Sequence, residues 1–164
     1  MTFVDLAGDV FIAGGSMAGV CAAVSAARNG AQVILAQDRS RLGGNASSEV
    51  KMHIVGADHH GGRPGWREGG LIEELRLDDA VNNPHRSFEL WDLLLYHKVM
   101  AEPNLTPLLD SVLFAATTNA GSIQQVMVRC DKAGHLYRIT PTHTGSRHRQ
   151  PSRRAASRRV GPDP

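Results

Sequence analysis

Apolar runs and polar turns divide residues 9–44 into a strand, a helix and a second strand. The apolar run at residues 10–13 predicts a strand that is covered on both faces of a parallel sheet. The alanine-rich run at residues 17–28 predicts a helix, and Gly30 stands where a helix C-cap is favoured. Residues 32–36 are mostly apolar and predict the second strand. The segment therefore has the length and order of an opening βαβ unit.

Farther along the chain, the pattern predicts two more helices, a third parallel strand and three further β segments. Residues 71–81 and 87–101 carry apolar side chains at helical spacing, and Ser87 suits the N-cap of the second of these helices. The third parallel strand is predicted at residues 105–109. The three β segments, which would form a β-meander, are predicted at residues 111–117, 122–130 and 135–140. The predicted fold class is α/β, a Rossmann-like βαβ domain with a parallel sheet plus a β-meander, and we expect it to be incomplete.

Charge and composition separate residues 1–140 from a tail at residues 141–164. The tail holds six arginines and one aspartate and shows no apolar periodicity, so we expect it to be disordered. A basic arm for nucleic acid is the alternative, but no aromatic residue is interleaved there to stack on bases. The abrupt change in character suggests a truncated or frame-shifted product.

A glycine-rich turn directly after the first strand carries the first candidate chemistry. Gly14 would permit the sharp turn, and Gly19 would let the following helix pack closely. Ser16 stands where the G-x-G-x-x-G fingerprint has its middle glycine. A P-loop is excluded because Val20 and Cys21 follow, where Lys and Ser or Thr are required. The turn predicts phosphate binding at a helix N-terminus, and an ordinary strand–helix turn is the alternative.

The end of the second strand bears on which dinucleotide would bind. A carboxylate normally holds the ribose hydroxyls there, but Gln37 occupies that place and Asp38 follows it. Arg39 and a second glycine pair, Gly43 and Gly44, come next and suit a second approach to phosphate. A plain NAD-binding domain has no need of this second pair.

A long loop at residues 53–70 is rich in histidine, glycine and arginine. Its candidate catalytic residues are His59 and His60, as acid or base, and Arg63, for an anionic substrate. We expect no metal, because adjacent histidines without an H-x-H or H-x-x-x-H partner are poor ligands. A surface loop that packs Trp66 is the alternative.

One family resemblance covers most of residues 9–140. It lies in the runs GGSMAGVCAAVSAARNGAQVILAQDRSRLGGNASSEV, RPGWREGGLIEELRLDDAVNNP and SFELWDLLLYHKVMAEPNLTPLLDSVLFAA. These runs resemble the N-terminal part of FAD-dependent oxidoreductases of the glutathione-reductase-like flavoprotein superfamily. The resemblance implies FAD as cofactor and hydride transfer between a substrate carbon and the flavin. The cofactor-binding residues that it implies are Gly14, Gly15, Ser16, Met17, Ala18, Gly19, Gln37, Asp38, Arg39, Gly43, Gly44, Asn45 and Val112.

Two alternatives stay open: a non-catalytic dinucleotide-binding fragment and an NAD-binding Rossmann module. We expect a chain of this length to be too short to hold an FAD domain and a substrate domain together, so the resemblance leaves open whether it is an active enzyme. We expect a cytoplasmic protein, since Cys21 and Cys130 are far apart in sequence and suit a reducing compartment. The expected partner is a small-molecule substrate of unknown identity, with no membrane and no nucleic acid. We also expect self-association through a sheet edge that a missing last strand leaves unpaired.

Overall fold

A computed structural model describes residues 1–54 and 68–142, and the backbone alone of residues 143–146. The described part of the chain forms six strands, three α-helices and one 3-10 turn. The strands are β1 (Thr2–Ala13), β2 (Val33–Ala36), β3 (Leu105–Leu108), β4 (Val112–Asn119), β5 (Ser122–Cys130) and β6 (His135–Ser146). The helices are α1 (Met17–Arg28), α2 (Gly70–Asn82) and α3 (Phe88–Met100), and the 3-10 turn is Gly44–Ala46.

All six strands belong to one sheet, in the order β3-β2-β1-β6-β5-β4. The strands β3, β2, β1 and β6 are parallel, and β5 and β4 continue the sheet in antiparallel pairs. The predicted α/β class, with its βαβ opening and β-meander, is therefore confirmed. The prediction of α1 matches the helix residue for residue, and α2 and α3 lie within one residue of their predicted bounds.

The first strand is longer than its apolar run, because it has two different neighbours along its length. Residues 10–13 pair with β2 on one side and β6 on the other. Residues 2–8 pair with β6, and their side chains largely alternate between exposed and half-buried. That period-two pattern is typical of a half-covered strand. The apolar run at residues 10–13 marks only the segment that has a strand on either side, within which Phe11 and Ile12 are buried.

The last strand is longer than predicted. It reaches Ser146, which pairs with Ala13, so the predicted end of the strand at Thr140 is wrong by six residues. The pairing uses main-chain groups, so the polar composition of this segment does not reveal it. Residues 147–164 lie outside the described part of the chain, and the predicted disorder there stays a prediction.

Two apolar clusters lie on opposite faces of the central strands. Neighbouring residues of β1 face opposite sides, so Ile12 contributes to one cluster and Phe11 to the other. The first cluster is covered by α1, α2 and α3, and Leu95 and Val99 of α3 are fully buried in it. The second cluster combines Phe11 with residues of β5 and β6. No helix in the described ranges is both long and apolar enough to cross a membrane.

Candidate functional site

The chain leaves β1 through a glycine turn, which we define as residues 14–19. Gly14 has a φ of +109°, a backbone conformation that side-chain-bearing residues rarely adopt. Its N–H donates to the carbonyl of Ala36 at 2.8 Å, which ties the turn to the end of β2. The predicted role of Gly14 in permitting the turn is confirmed.

Gly19 lies so close to this turn that no side chain fits. A Cβ atom at this position would lie 1.8 Å from the carbonyl oxygen of Gly14 and 3.7 Å from Cγ2 of Ile12. The first turn of α1 therefore packs directly on the backbone of the glycine turn, and the predicted close approach of the helix is confirmed. A Cβ at Gly15 would likewise lie 2.6 Å from Cδ2 of Leu42.

A second glycine segment, residues 39–45, lies against the glycine turn. The N–H of Gly43 donates to the carbonyl of Gly15 at 2.7 Å, and Ser16 and Gly43 form an isolated parallel bridge. A Cβ on Gly44 would lie 3.0 Å from Cβ of Ser16. Gly43 and Gly44 both have positive φ, so glycine suits the backbone as well as the space. The structure thus joins the two glycine pairs that the sequence placed in separate loops.

The N-terminus of α1 presents hydrogen-bond donors that have no partner among the described residues. The first helical bond runs from Val20 N to Ser16 O at 2.8 Å, so the preceding N–H groups have no partner within the helix. Ser16 is the N-cap, and its buried hydroxyl has no hydrogen-bond partner among the described residues. No acidic residue lies in the first turn. A crowded backbone, an unpaired hydroxyl and a positive dipole end fit a bound phosphate.

Gln37 is buried between the two glycine segments, with 5% of its surface exposed. Its Oε1 accepts from the N–H of Gly15 at 2.8 Å, and its Nε2 donates to the carbonyl of Arg41 at 3.0 Å. Both ends of the amide are therefore engaged within the protein. Asp38 is exposed beside it. A ribose contact by either residue stays a prediction.

The arginines of the second glycine segment form ion pairs. Arg39 Nη1 lies 2.9 Å from Glu49 Oε2, and the hydrogen bond to this carboxylate raises the pKa of Arg39. Arg41 Nε lies 3.0 Å from Oδ2 of Asp92, a buried residue of α3. The phosphate contact expected of Arg39 stays a prediction, because this guanidinium already has an anionic partner.

Asp92 is a site residue that the sequence analysis missed. Besides Arg41, it accepts hydrogen bonds from the N–H of Ser48 at 3.0 Å and from the Ser48 hydroxyl. It thereby anchors both ends of the stretch that contains Gly43 and Gly44. The available signal was a carboxylate in an otherwise apolar stretch of α3, directly after Trp91.

The other residues that were predicted to contact a cofactor or substrate lie in several parts of the chain. Ser111 N donates to Gln37 O at 2.8 Å, so Val112, the next residue, begins β4 beside the end of β2. Met17 and Ala18 occupy the first turn of α1, and Asn45 is exposed in the 3-10 turn. Their contacts with a cofactor stay predictions. His59, His60 and Arg63 lie outside the described residues.

A family model described as FAD dependent oxidoreductase matches residues 9–142. No curated protein matches the chain.

Similar solved structures share the fold at low sequence identity. L-proline dehydrogenase from P. horikoshii has 15% identity and a TM-score of 0.53, covering 89% of this chain and 23% of its own. A variant of E. coli quinol fumarate reductase FrdA has 14% identity and a TM-score of 0.56, with coverages of 89% and 33%. The myxobacterial chondrochloren halogenase CndH, described as an FAD-dependent halogenase, has 13% identity, a TM-score of 0.56 and coverages of 88% and 38%. This chain therefore spans well under half of each, and the likeness shows the fold alone.

Proposed function

This chain belongs to the family of FAD-dependent oxidoreductases, and on that premise we propose that its two glycine segments together bind the diphosphate of FAD. The observation that carries the proposal is the direct contact between the segments, where Gly43 N donates to Gly15 O at 2.7 Å. The contact places a second glycine-lined backbone beside the N-terminus of α1. At the contact itself, which Gly15, Ser16, Gly43 and Gly44 form, a dinucleotide that bridges both segments would meet backbone atoms and small side chains.

The roles of the surrounding residues follow from their positions. The hydroxyl of Ser16 and the N–H groups of the first turn of α1 have no partners in the part of the chain that the structure describes, and they would donate to phosphate oxygens. The dipole of α1 adds about 0.3–1 kcal/mol for a negative charge at this end. Gly19 keeps the helix close enough for these donors to converge.

We propose that the chain provides the FAD-binding part of an enzyme that oxidises a small-molecule substrate. Bound FAD supplies a two-electron acceptor for a hydride from a substrate carbon. The protein would hold the dinucleotide by its diphosphate and so orient the flavin. The family match supports FAD as the cofactor, and the second glycine segment supports FAD over NAD.

Titration of the purified protein with FAD and with NAD, each followed by calorimetry, tests this proposal. We expect tighter binding of FAD and a flavin absorption spectrum that stays with the protein through gel filtration. Tighter binding of NAD would favour an NAD-binding module. Turnover with an artificial electron acceptor, measured on the loaded protein, would separate an oxidoreductase from a non-catalytic dinucleotide-binding fragment.

We also propose that the chain self-associates through the edge of β4. The other free edge in the described sheet, β3, has four residues and contains Pro107, which cannot donate to a neighbouring strand. All eight residues of β4 are exposed and uncharged, so a second copy could pair antiparallel without like-charge repulsion. Sedimentation velocity should show concentration-dependent dimers, and Ala116→Lys should abolish them. Concentration-independent sedimentation of the wild-type protein would contradict the proposal.

A further inference from the structure

Gln37 is held by four hydrogen bonds to four different parts of the chain. Its side chain accepts from Gly15 N and donates to Arg41 O. Its main-chain N–H donates to Leu108 O at 2.9 Å, and its carbonyl accepts from Ser111 N at 2.8 Å. Residue 37 therefore links the glycine turn, the second glycine segment, the end of β3 and the start of β4.

The two side-chain bonds require different chemistry from the same group. Gly15 offers an N–H, so the atom that faces it must accept, and Arg41 offers a carbonyl, so the atom that faces it must donate. An amide satisfies both at once, whereas an ionised carboxylate can only accept. Since Gln37 is buried, a carboxylate would leave two oxygens facing each other away from water.

We propose that Gln37 is the positioning residue of the dinucleotide site, acting through its amide on both glycine segments. It fixes the distance between Gly15 and Arg41 and so keeps the donors of the first segment in register with the backbone of the second. Position 37 then controls diphosphate binding through the protein, without direct contact with the ribose hydroxyls. This inference rests on the proposed binding of FAD.

The substitution Gln37→Glu tests the inference because the side chain of the variant can be either a protonated carboxyl, which donates and accepts, or an ionised carboxylate, which only accepts. A protonated glutamic acid accepts through its carbonyl and donates through its hydroxyl, so it preserves both bonds. An ionised glutamate loses the donor to Arg41 O. Burial raises the pKa of such a carboxyl above its ordinary value of about 4.3, which brings the change into an accessible pH range.

The measurement is the FAD dissociation constant of Gln37→Glu divided by that of the wild-type protein, between about pH 5 and pH 8. We expect a ratio near one at the acidic end that rises roughly tenfold towards the alkaline end. Taking the ratio removes the ionisation of FAD and of other residues. Gln124→Glu, the same change at an exposed position of β5, should give a constant ratio near one. Gln37→Leu, which has neither donor nor acceptor, should bind weakly at every pH.

The outcomes separate the inference from the proposed function. Binding by Gln37→Glu that tightens as pH rises would indicate a direct contact between the carboxylate and the ribose diol, and would overturn the inference. Wild-type affinity for FAD in Gln37→Leu would also overturn it. The absence of FAD binding by the wild-type protein would overturn the proposed function and the inference together. Far-UV circular dichroism at each pH confirms that the compared proteins are folded.

Discussion

The two ends of α1 use their polar groups in opposite ways. At the C-terminal end, Arg28 contacts Glu74 of α2 and Glu102 beyond α3, each at 2.7 Å. At the N-terminal end, no acidic residue lies in the first turn and the hydroxyl of Ser16 is buried without a partner among the described residues. Buried polar groups in proteins are normally satisfied, so an exception suggests a ligand. Paired charges mark the structural end of the helix, and unpaired donors mark the end with the candidate site.

The paired end connects three helices. Lys98 of α3 contacts Glu74 at 3.1 Å and Asp78 at 2.9 Å, and Glu74 also receives Arg28. Hydrogen bonding from Arg28, the largest effect, lowers the pKa of Glu74 to about 2. We call Arg28, Glu74, Asp78, Lys98 and Glu102 the three-helix ion-pair cluster.

The largest expected effect is at the unpaired end, from Gly19→Ala. The new Cβ would lie 1.8 Å from Gly14 O, so the turn and α1 must move apart and the donors no longer converge. We expect the FAD dissociation constant to rise at least a hundredfold, roughly 2.7 kcal/mol. Calorimetric titration measures it. Gly69→Ala, whose new Cβ meets no atom of the described residues within 4 Å, is the matched control. Binding within twofold of wild type would contradict the comparison.

The second prediction concerns Asp92→Ala, which releases the second glycine segment from α3. The change removes the ion pair with Arg41 and leaves the N–H of Ser48 without its acceptor. We expect a loss of about 2 kcal/mol in the free energy of unfolding, measured with urea, and weaker FAD binding. Glu49→Gln, which removes the anionic partner of Arg39 at the surface, should change stability much less than Asp92→Ala does. Equal effects of the two variants would show that Asp92 is not the anchor.

The third prediction separates ligand binding from stability at the unpaired end. Ser16→Ala removes a hydroxyl that has no partner among the described residues, so the free energy of unfolding should stay equal or rise slightly. The FAD dissociation constant should rise about tenfold, because a donor to the phosphate is lost. Both quantities are measured on the same preparation. A loss of stability with unchanged affinity would assign the hydroxyl to the fold.

The smallest expected effect is at the paired end and depends on pH. The pKa of Glu74 is about 2 in the folded protein against an ordinary 4.5, so its stabilising contribution is present above about pH 4.5 and is lost as pH falls towards 2. Because both Arg28 and Glu74 are more than a third exposed, solvent screening limits the contribution to about 1 kcal/mol or less. Glu74→Gln should therefore flatten the acid decline of the unfolding free energy. Asp131→Asn, at an exposed turn, serves as control, and an unchanged acid slope in Glu74→Gln would refute the assignment.

The sequence predicted the local features of the candidate site better than the contacts between distant residues. The bounds of α1 and the turn at Gly14 follow from composition and glycine spacing within a few residues. Asp92 anchors the second glycine segment through a hydrogen bond from Ser48, which lies 44 residues away in the sequence. No local sequence pattern predicts a contact between residues so far apart. Arg39 was predicted for phosphate, but its sequence context does not show that Glu49 folds back onto it.

The extended strands show the same limit. Residues 2–8 pair with β6, and residues 141–146 pair with β1, through main-chain hydrogen bonds. Neither stretch has the continuous apolar run that marks a buried strand. The sequence therefore predicts well those helices, strands and turns that depend only on the residues within one segment. Contacts between distant segments, including those that join the two glycine segments, required the structure.

The pairing of β1 with β6 has a kinetic consequence. Asp5 meets Arg138 across 133 residues, whereas Asp9 meets Gln32 across 23. Closing the longer loop carries an entropic penalty about 1.6 kcal/mol larger, so contacts of β1 with β2 can form while β6 is still unattached. We expect pulsed hydrogen exchange during refolding to protect the amides of β2 before those of residues 2–8. Simultaneous protection would exclude this order. On a ribosome, the glycine turn could then be assembled well before the strand that completes its sheet has been synthesised.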